Sequence, residues 1–169
     1  MLWHGGLVWY GGFLGGLTSA IIYLKCKKMP VFKTLDLIIP YICLAHSMGR
    51  IGCFLNGCCY GRASRWGIYF PLANDYLIPS QLFSSLGLLI IFVILRLLQK
   101  RPHQQGFILF AYLIAASIER FIEEFLRGDS PRDYWGLTIF QVISIAIFLS
   151  SIFLWNIILS PQKKTQENA

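Results

Sequence analysis

The chain has 169 residues, of which 56% are hydrophobic and 14% are charged, and its mean hydropathy is +0.58. This composition excludes a water-soluble globular domain, and the length exceeds what a single membrane anchor needs. The net charge of +7 does not indicate a nucleic-acid partner, because the cations stand in short segments between apolar runs instead of on one face of a folded domain. We therefore predict an all-α, polytopic membrane protein that forms a single transmembrane domain over residues 1–169.

Five apolar runs approach the roughly 20 residues that an α-helix needs to cross about 30 Å of hydrocarbon. They cover residues 5–24, 34–55, 79–98, 106–126 and 136–159. All lysines of the chain follow the first, third and fifth runs. Because positively charged connections stay in the cytoplasm, this pattern predicts an external N-terminus, a cytoplasmic C-terminus, and external connections at residues 56–78 and 128–135.

The first run is rich in glycine. Gly11 with Gly15, and Gly12 with Gly16, are spaced by four residues, which lets helix backbones approach closely. The alternative is that the same surface admits a lipid headgroup. His4 and Tyr10 lie near the external end of this run, where a histidine is more often an interfacial residue than a base.

The second run contains Arg50, at a depth where an unpaired arginine costs several kcal/mol. We expect its partner to be the phosphate of a lipid headgroup. His46 precedes Arg50 by one turn and shares its face. Asp36, near the start of the run, suits the positive end of the helix dipole, and Pro40 predicts a kink.

The third run opens with Ser80 and Gln81, which offer neutral hydrogen-bonding groups at the external interface, although helix capping alone would also explain them. The fifth run contains Gln141, which we expect to form hydrogen bonds between helices.

The fourth run ends in five charges within residues 119–127. Arg120 and Glu124 lie one turn apart and are expected to pair in apolar surroundings. For Glu119, Glu123 and Arg127 a solvated helix end is the expectation, with Glu123 and Arg127 forming a second pair.

The predicted topology places polar residues from four helices near the external leaflet: His4, Tyr10, Arg50, Asn56, Gln81, Arg120 and Glu124. Guanidinium groups bind phosphate through parallel hydrogen bonds. Two arginines, an amide and a carboxylate at headgroup depth therefore indicate a site for a phosphorylated amphiphile.

A series of short motifs resembles, in the same order, sequences of the bacterial prolipoprotein diacylglyceryl transferases. These motifs are Leu35-Asp36 with Pro40, Gly49-Arg-Ile-Gly52 with Phe54, Asn56-Gly57, Gly61-Arg62, Pro79-Ser-Gln-Leu82, Arg120-Phe-Ile-x-Glu124-Phe, and the residues around Gln141. The resemblance covers nearly the whole chain.

The resemblance implies an enzyme of the bacterial inner membrane whose active face is toward the periplasm. Such an enzyme moves the diacylglyceryl group of phosphatidylglycerol to the lipobox cysteine of a preprolipoprotein signal peptide, so that a thioether forms and glycerol phosphate leaves. It requires no metal and no organic cofactor. The implied catalytic residues are Arg50, Arg120, Glu124, Tyr10 and His4, and the implied substrate-binding residues are Arg50, Asn56, Gly61, Gln81, Gly11 and Gly12.

Three positions depart from the family pattern. Cys53 stands where the family usually has asparagine, and Cys58 stands where it usually has glutamate. The family's His-Gly-Gly-Leu aligns best with the segment that begins at Tyr10, although a literal copy begins at His4. The base is then Tyr10, His4, a carboxylate or no group at all. About seven helices are typical of the family, so we also expect this chain to lack the first ones.

Two alternatives belong to other classes of function. One is a non-catalytic family member that binds anionic phospholipid through the same arginines. The other is a thiol or metal centre built from Cys53, Cys58 and Cys59, with a disulfide from Cys53 to Cys58 or Cys59 as a milder version. The Cys-x4-Cys-Cys spacing lacks the paired short spacings of common zinc sites, so we predict no metal ligands.

Overall fold

A computed structural model of the chain describes residues 5–128 and 136–167. Within these ranges the helices are α1 (Gly5–Cys26), α2 (Val31–Leu55), α3 (Ser80–Gln99), α4 (Phe107–Leu126) and α5 (Ile139–Glu167). The helical class is as predicted. Three described segments are long and apolar enough to cross a membrane, judged by length and composition: α2, α3 and residues 139–158 of α5.

Apolar side chains cover much of the surface and several polar side chains are buried, the reverse of a water-soluble protein. Large apolar side chains such as Leu86 and Phe153 are 57% and 64% exposed, whereas Gln81 and Glu124 are 0% and 1% exposed. Water would favour the opposite arrangement. A hydrocarbon solvent tolerates apolar surface and requires polar groups to find partners inside the protein. The chain is therefore a multi-pass membrane protein.

Hydrogen bonds between side chains and backbone hold α2 close to α3. The hydroxyl of Ser47 donates to the carbonyl of Ser85 at 2.8 Å, and the hydroxyl of Ser85 donates to the carbonyl of Ser47 at 3.0 Å. One turn earlier on α2, the thiol of Cys43 donates to the carbonyl of Leu88 at 3.2 Å. Small polar residues of this kind let membrane helices approach closely, and here they fix the helix that carries Arg50.

Pro40 lies inside α2 and leaves one carbonyl of the helix without its usual partner. A proline at position 40 has no N–H to donate to the carbonyl of Asp36, and lipid offers no water in its place. The side-chain amide of Gln99, on α3, donates to this carbonyl at 2.9 Å. A residue 63 positions away in the sequence thus satisfies the backbone group that Pro40 frees.

The carboxylate of Asp36 caps a different helix from the one expected. Because α2 begins at Val31, Asp36 lies beyond its first turn. The prediction that Asp36 interacts with the dipole of its own helix was therefore wrong. The carboxylate accepts hydrogen bonds from the backbone N–H groups of Gly106 at 2.6 Å and Leu109 at 2.9 Å. Asp36 therefore satisfies unpaired donors at the start of α4.

Gln141 completes the start of its own helix. Its side-chain oxygen accepts from the N–H of Thr138 at 3.0 Å, and its own N–H donates to the Thr138 hydroxyl at 3.3 Å. This reciprocal pair is a capping box. The prediction that Gln141 bonds to another helix was wrong, because its described hydrogen bonds join it to Thr138 at the start of α5.

An antiparallel hairpin, not predicted from the sequence, follows α2. It consists of β1 (Ala63–Phe70) and β2 (Asp75–Leu77). Phe70 is buried, and its ring packs edge-on against Phe54 of α2 at 6.0 Å and against Tyr60 at 5.7 Å, measured between ring centroids. The hairpin therefore rests on the C-terminal end of α2, a few residues beyond Arg50.

Candidate active site

One carboxylate oxygen joins the two arginines that the sequence singled out. Oε2 of Glu123 accepts a hydrogen bond from Nη2 of Arg50 at 3.0 Å and another from Nη1 of Arg120 at 2.8 Å. The side chain of Glu123 is only 2% exposed. Arg50 comes from α2 and Arg120 from α4, so the structure brings together two cations that are 70 residues apart in the chain.

Arg120 is held from two further sides. Its Nη2 lies 3.0 Å from Oε2 of Glu124, one turn along α4, which is the ion pair expected from the sequence. Its guanidinium carbon lies 4.9 Å from the centre of the Phe140 ring on α5, a distance typical of a cation–π interaction. These contacts orient the guanidinium group between three helices.

The acidic residues at the end of α4 are not a solvated helix end, contrary to the expectation for Glu119 and Glu123. Glu123 is buried and pairs with Arg50 and Arg120, where the sequence suggested Arg127. Glu119 is half-buried, and its Oε1 accepts a hydrogen bond from Ser84 of α3 at 2.7 Å. The physical reason is that α2 and α3 cover this face of α4.

Several buried polar atoms of this cluster have no hydrogen-bond partner among the described residues. They are Nε of Arg50 and Oε1 of Glu123 and of Glu124. A buried polar group without a partner costs about 1–3 kcal/mol. The arrangement therefore favours a ligand or water molecules that supply the missing partners.

A cavity of about 430 Å³ between α3 and α4 adjoins the charged cluster. Most of its wall is apolar, with Phe83 and Ile90 from α3 and Ile118 from α4, and its polar side chains include Glu119 and Glu123. A cavity that combines a hydrocarbon wall with charged groups at one side suits an amphiphile.

The chain turns at the end of α2 in a Schellman motif. Gly57 has a φ of +66°, a conformation that favours glycine. Its N–H donates to the carbonyl of Phe54 at 3.0 Å, and the N–H of Cys58 donates to the carbonyl of Cys53 at 3.1 Å, which is the pattern of this motif. Asn56, a predicted substrate-binding residue, is the exposed C-cap.

Gly61 and Gln81, also predicted to bind substrate, hold this turn against the neighbouring helices. The N–H of Gly61 donates to the carbonyl of Ile78 at 2.8 Å, and a Cβ at position 61 would lie 2.6 Å from the carbonyl oxygen of Leu126. The amide nitrogen of Gln81 donates to the carbonyl of Cys58 at 2.6 Å. Oε1 of Gln81 has no hydrogen-bond partner in the described part of the chain.

The turn gathers three cysteines. The sulfur atoms of Cys53, Cys58 and Cys59 all lie within 4.8 Å of one another. All three are free thiols, so the disulfide considered from the sequence is not formed. Burial, followed by hydrogen bonding to Cys58, raises the pKa of Cys59 to about 11, which keeps Cys59 protonated at neutral pH.

The part of the chain that the structure describes gives no contact between the charged cluster and the site residues predicted in the first apolar run. His4 lies outside the described residues, and Tyr10, Gly11 and Gly12 lie within α1 at positions whose side-chain surroundings are not described. Their roles stay predictions.

The residues that sequence reasoning missed are Glu123, Glu119, Ser84 and Phe140. A signal for three of them was present, because Glu119 with Glu123, and Ser80 with Ser84, are each spaced by one helical turn.

Comparison with known proteins gives consistent matches. The sequence model of the prolipoprotein diacylglyceryl transferase family matches residues 1–157. The phosphatidylglycerol–prolipoprotein diacylglyceryl transferase of Clostridium tetani is 38% identical over 159 residues, which are 90% of this chain and 64% of that protein. A second such enzyme, from Clostridium perfringens, is 39% identical over 160 residues, which are 90% of this chain and 62% of that protein.

The protein of the same name from Staphylococcus epidermidis is 35% identical over 163 residues, which are 89% of this chain and 58% of that protein. The chain thus spans 58% to 64% of the length of these curated relatives.

Proposed function

We propose that this chain, which belongs to the prolipoprotein diacylglyceryl transferase family, transfers the diacylglyceryl group of phosphatidylglycerol to a lipobox cysteine of a preprolipoprotein. The observation that carries the proposal is the convergence of Arg50 and Arg120 on one oxygen atom, at 3.0 and 2.8 Å. Two guanidinium groups arranged in this way can bind one phosphate oxygen each, or share one.

In this proposal the lipid phosphate takes the place that the Glu123 carboxylate holds between the two arginines. The exchange conserves the charge-assisted hydrogen bonds of both guanidinium groups and also offers a partner to the buried Nε of Arg50. As glycerol phosphate departs, negative charge grows on its oxygen. Cations that are already in position stabilise this charge without reorganisation.

The transfer is a displacement at the glycerol carbon that bears the phosphate. The peptide's sulfur attacks this carbon, a C–S bond forms, and the C–O bond breaks, with its electron pair leaving on glycerol phosphate. The thiol proton must pass to a base. Glu119 suits this step, because it lies in the cavity wall and accepts only from Ser84 among the hydrogen bonds described. Tyr10 and His4 remain the candidates that the sequence supplies.

The apolar cavity between α3 and α4 supports binding of a lipid from the side. Its volume of about 430 Å³ accommodates part of an acyl chain, while Glu119 and Glu123 in its wall mark the end nearest the arginines. Lipid would then enter without its hydrocarbon chains crossing water.

We place the enzyme in the bacterial inner membrane with its active face toward the periplasm. The distribution of lysines supports this orientation, because Lys27 and Lys28 follow α1 and Lys100 follows α3, whereas Arg50 lies near the opposite end of α2.

The proposal is tested with the purified 169-residue chain in phosphatidylglycerol vesicles and a synthetic peptide that contains a lipobox cysteine. Mass spectrometry should show the peptide gaining one diacylglyceryl group, and vesicles of phosphatidylethanolamine should give no product. Arg50→Ala should lower the rate by about 100-fold or more. Arg65→Ala is the matched control, since Arg65 is exposed on β1, and should keep the wild-type rate. Absence of product from the folded wild type would reject the transferase.

A second candidate is a family member that binds phosphatidylglycerol without transferring its diacylglyceryl group. The observation that favours it is the presence of Cys53 and Cys58 at positions of the family signature usually held by asparagine and glutamate. Saturable binding of phosphatidylglycerol that Arg50→Ala abolishes, with no modified peptide, would support this candidate over the enzyme.

A further inference from the structure

The turn after α2 places three sulfur atoms within reach of a single ion. Sγ atoms of Cys53, Cys58 and Cys59 lie within 4.8 Å of one another. Two sulfurs bound to one ion at about 2.3 Å each are separated by about 4 Å. The observed separations therefore exceed those of a bound ion by at most about 1 Å.

The backbone conformation that gathers the sulfurs is imposed by hydrogen bonds. The N–H of Cys58 is bonded to the carbonyl of Cys53 in the Schellman motif, which brings these residues back together after five positions. Cys59 has a φ of +60°, a conformation that residues with a Cβ rarely adopt and that persists only where the surroundings enforce it.

The first turn of α3 enforces this conformation. The hydroxyl of Ser80 donates to the carbonyl of Cys59 at 3.0 Å, and the amide of Gln81 donates to the carbonyl of Cys58 at 2.6 Å. Ser80 and Gln81 are both fully buried. The thiols therefore stand on a rigid backbone, which is a requirement of a preorganised metal site.

The donor set selects the class of ion. Three thiols with no carboxylate in the group do not suit calcium or magnesium, which take oxygen ligands. Soft thiolate ligands select Cu(I) and Zn(II).

We infer that Cys53, Cys58 and Cys59 form a three-thiolate site for one soft cation, Cu(I) or Zn(II), at the C-terminal end of α2. Each thiol that binds the ion releases its proton to solvent. The site is distinct from the phosphate site of the proposed function, although Cys53 lies one turn beyond Arg50 on the same helix. The sequence offered these three cysteines as an alternative thiol or metal centre, but their spacing did not favour metal ligation; the turn and the start of α3 bring the sulfurs together.

The test uses the full chain in detergent, reduced with a phosphine, freed of metal with a chelator, and titrated with Cu(I) or Zn(II) in separate arms. One ion per chain should stay bound through gel filtration in at least one arm. X-ray absorption of the bound ion should show three sulfur neighbours, at about 2.3 Å in the zinc form.

Variants identify the ligands. Cys53→Ser, Cys58→Ser and Cys59→Ser should each lower the affinity for the ion by at least about 100-fold, more than loss of a supporting hydrogen bond costs. Gln81→Leu removes only the support of the Cys58 carbonyl and should lower the affinity by about 10-fold. Cys26→Ser is the control, because Cys26 is an exposed thiol at the end of α1, and should bind the ion as the wild type does.

Alkylation of the wild type keeps the inference testable if a variant does not fold. Bound ion should protect Cys53, Cys58 and Cys59 from a maleimide and leave Cys26 reactive, as peptide mass spectrometry would show. The inference is overturned if neither ion stays bound, if the bound ion has fewer than three sulfur neighbours, or if protein isolated without reductant contains a disulfide between two of the three cysteines. None of these readouts depends on transferase activity.

Discussion

Glu123 is the residue on which the geometry of both arginines depends. Its Oε2 is shared by Arg50 and Arg120, and its side chain is almost fully buried. Removing one member of a buried ion pair leaves an uncompensated charge, which costs far more than the pair contributes. Here two guanidinium groups would face each other without the anion between them.

Glu123→Gln should therefore lower the free energy of unfolding by about 3 kcal/mol. The control is Glu124→Gln, which removes a carboxylate that forms an ion pair with Arg120 and leaves the Glu123 bridge between α2 and α4 in place, so its cost should be smaller. Urea unfolding in detergent, followed by tryptophan fluorescence, measures both. Equal losses of unfolding free energy in the two variants would show that the Glu123 bridge between α2 and α4 does not stabilise the protein more than the local Glu124 pair does.

At the residue scale, the sequence was informative where a charge stood inside an apolar run. Arg50 and Arg120 were selected on that ground, and the structure places them together. Glu123 was assigned to a solvated end because nothing local distinguishes a charged helix terminus in water from one covered by other helices. Only the packing of α2 and α3 on α4 decides between the two.

The helix ends of this protein are completed by residues that are distant in the sequence. Asp36 of α2 caps α4, and Gln99 of α3 bonds the carbonyl that Pro40 frees in α2. The start of α5, by contrast, is capped by Thr138 and Gln141 from its own sequence. The local motif is readable from the sequence in principle, whereas the distant caps depend on which helices become neighbours.

Gln99→Leu should destabilise the wild type by about 1–3 kcal/mol, because the carbonyl of the buried Asp36 is then left without this hydrogen-bond partner. In the Pro40→Ala background the restored N–H at position 40 bonds this carbonyl, and the same Gln99→Leu change should cost less. A double-mutant cycle of unfolding free energies measures the coupling. Additive costs would contradict this account of Gln99.

Gly61 illustrates a glycine required by close approach of backbones. A methyl group at this position would lie 2.6 Å from the carbonyl oxygen of Leu126 and 2.9 Å from that of Ile78, neither of which can move without shifting α4 or the start of α3. Gly61→Ala should cost about 1–3 kcal/mol of stability. Gly49→Ala is the control, since apart from neighbouring backbone of α2 no atom of the described residues lies within 4 Å of its Cβ position. Thermal unfolding in detergent should separate the two variants.

At the scale of the whole molecule, the number and order of helices followed from the lengths of the apolar runs. The hairpin β1–β2 was missed because its segment was assigned to an external connection. Its Trp66 to Phe70 stretch is rich in residues typical of strands, and the hairpin that it forms packs Phe70 against Phe54 of α2. The composition of this segment therefore favours strands, but its packing on α2 could not be predicted from the segment alone.

The proposed orientation across the membrane predicts which lysines can be labelled from each side. A membrane-impermeant amine reagent added to intact spheroplasts should leave Lys27, Lys28 and Lys100 unmodified, because positively charged connections stay in the cytoplasm. The same reagent should modify them in inverted vesicles, as peptide mass spectrometry would show. Labelling of these lysines from outside would reverse the orientation and place Arg50 at the cytoplasmic leaflet.

The hairpin β1–β2 extends beyond the end of α2 and carries large apolar side chains into the surroundings. Trp66 is 95% exposed on β1, and Leu72 is 80% exposed in the turn between the strands. An indole ring gains free energy where headgroups meet acyl chains, so under the proposed orientation this projection would limit how deeply the protein is immersed. Because Phe70 packs against Phe54 of α2, a hairpin immersed at that depth would hold the arginines at a set height relative to the lipid phosphates even before any lipid is bound.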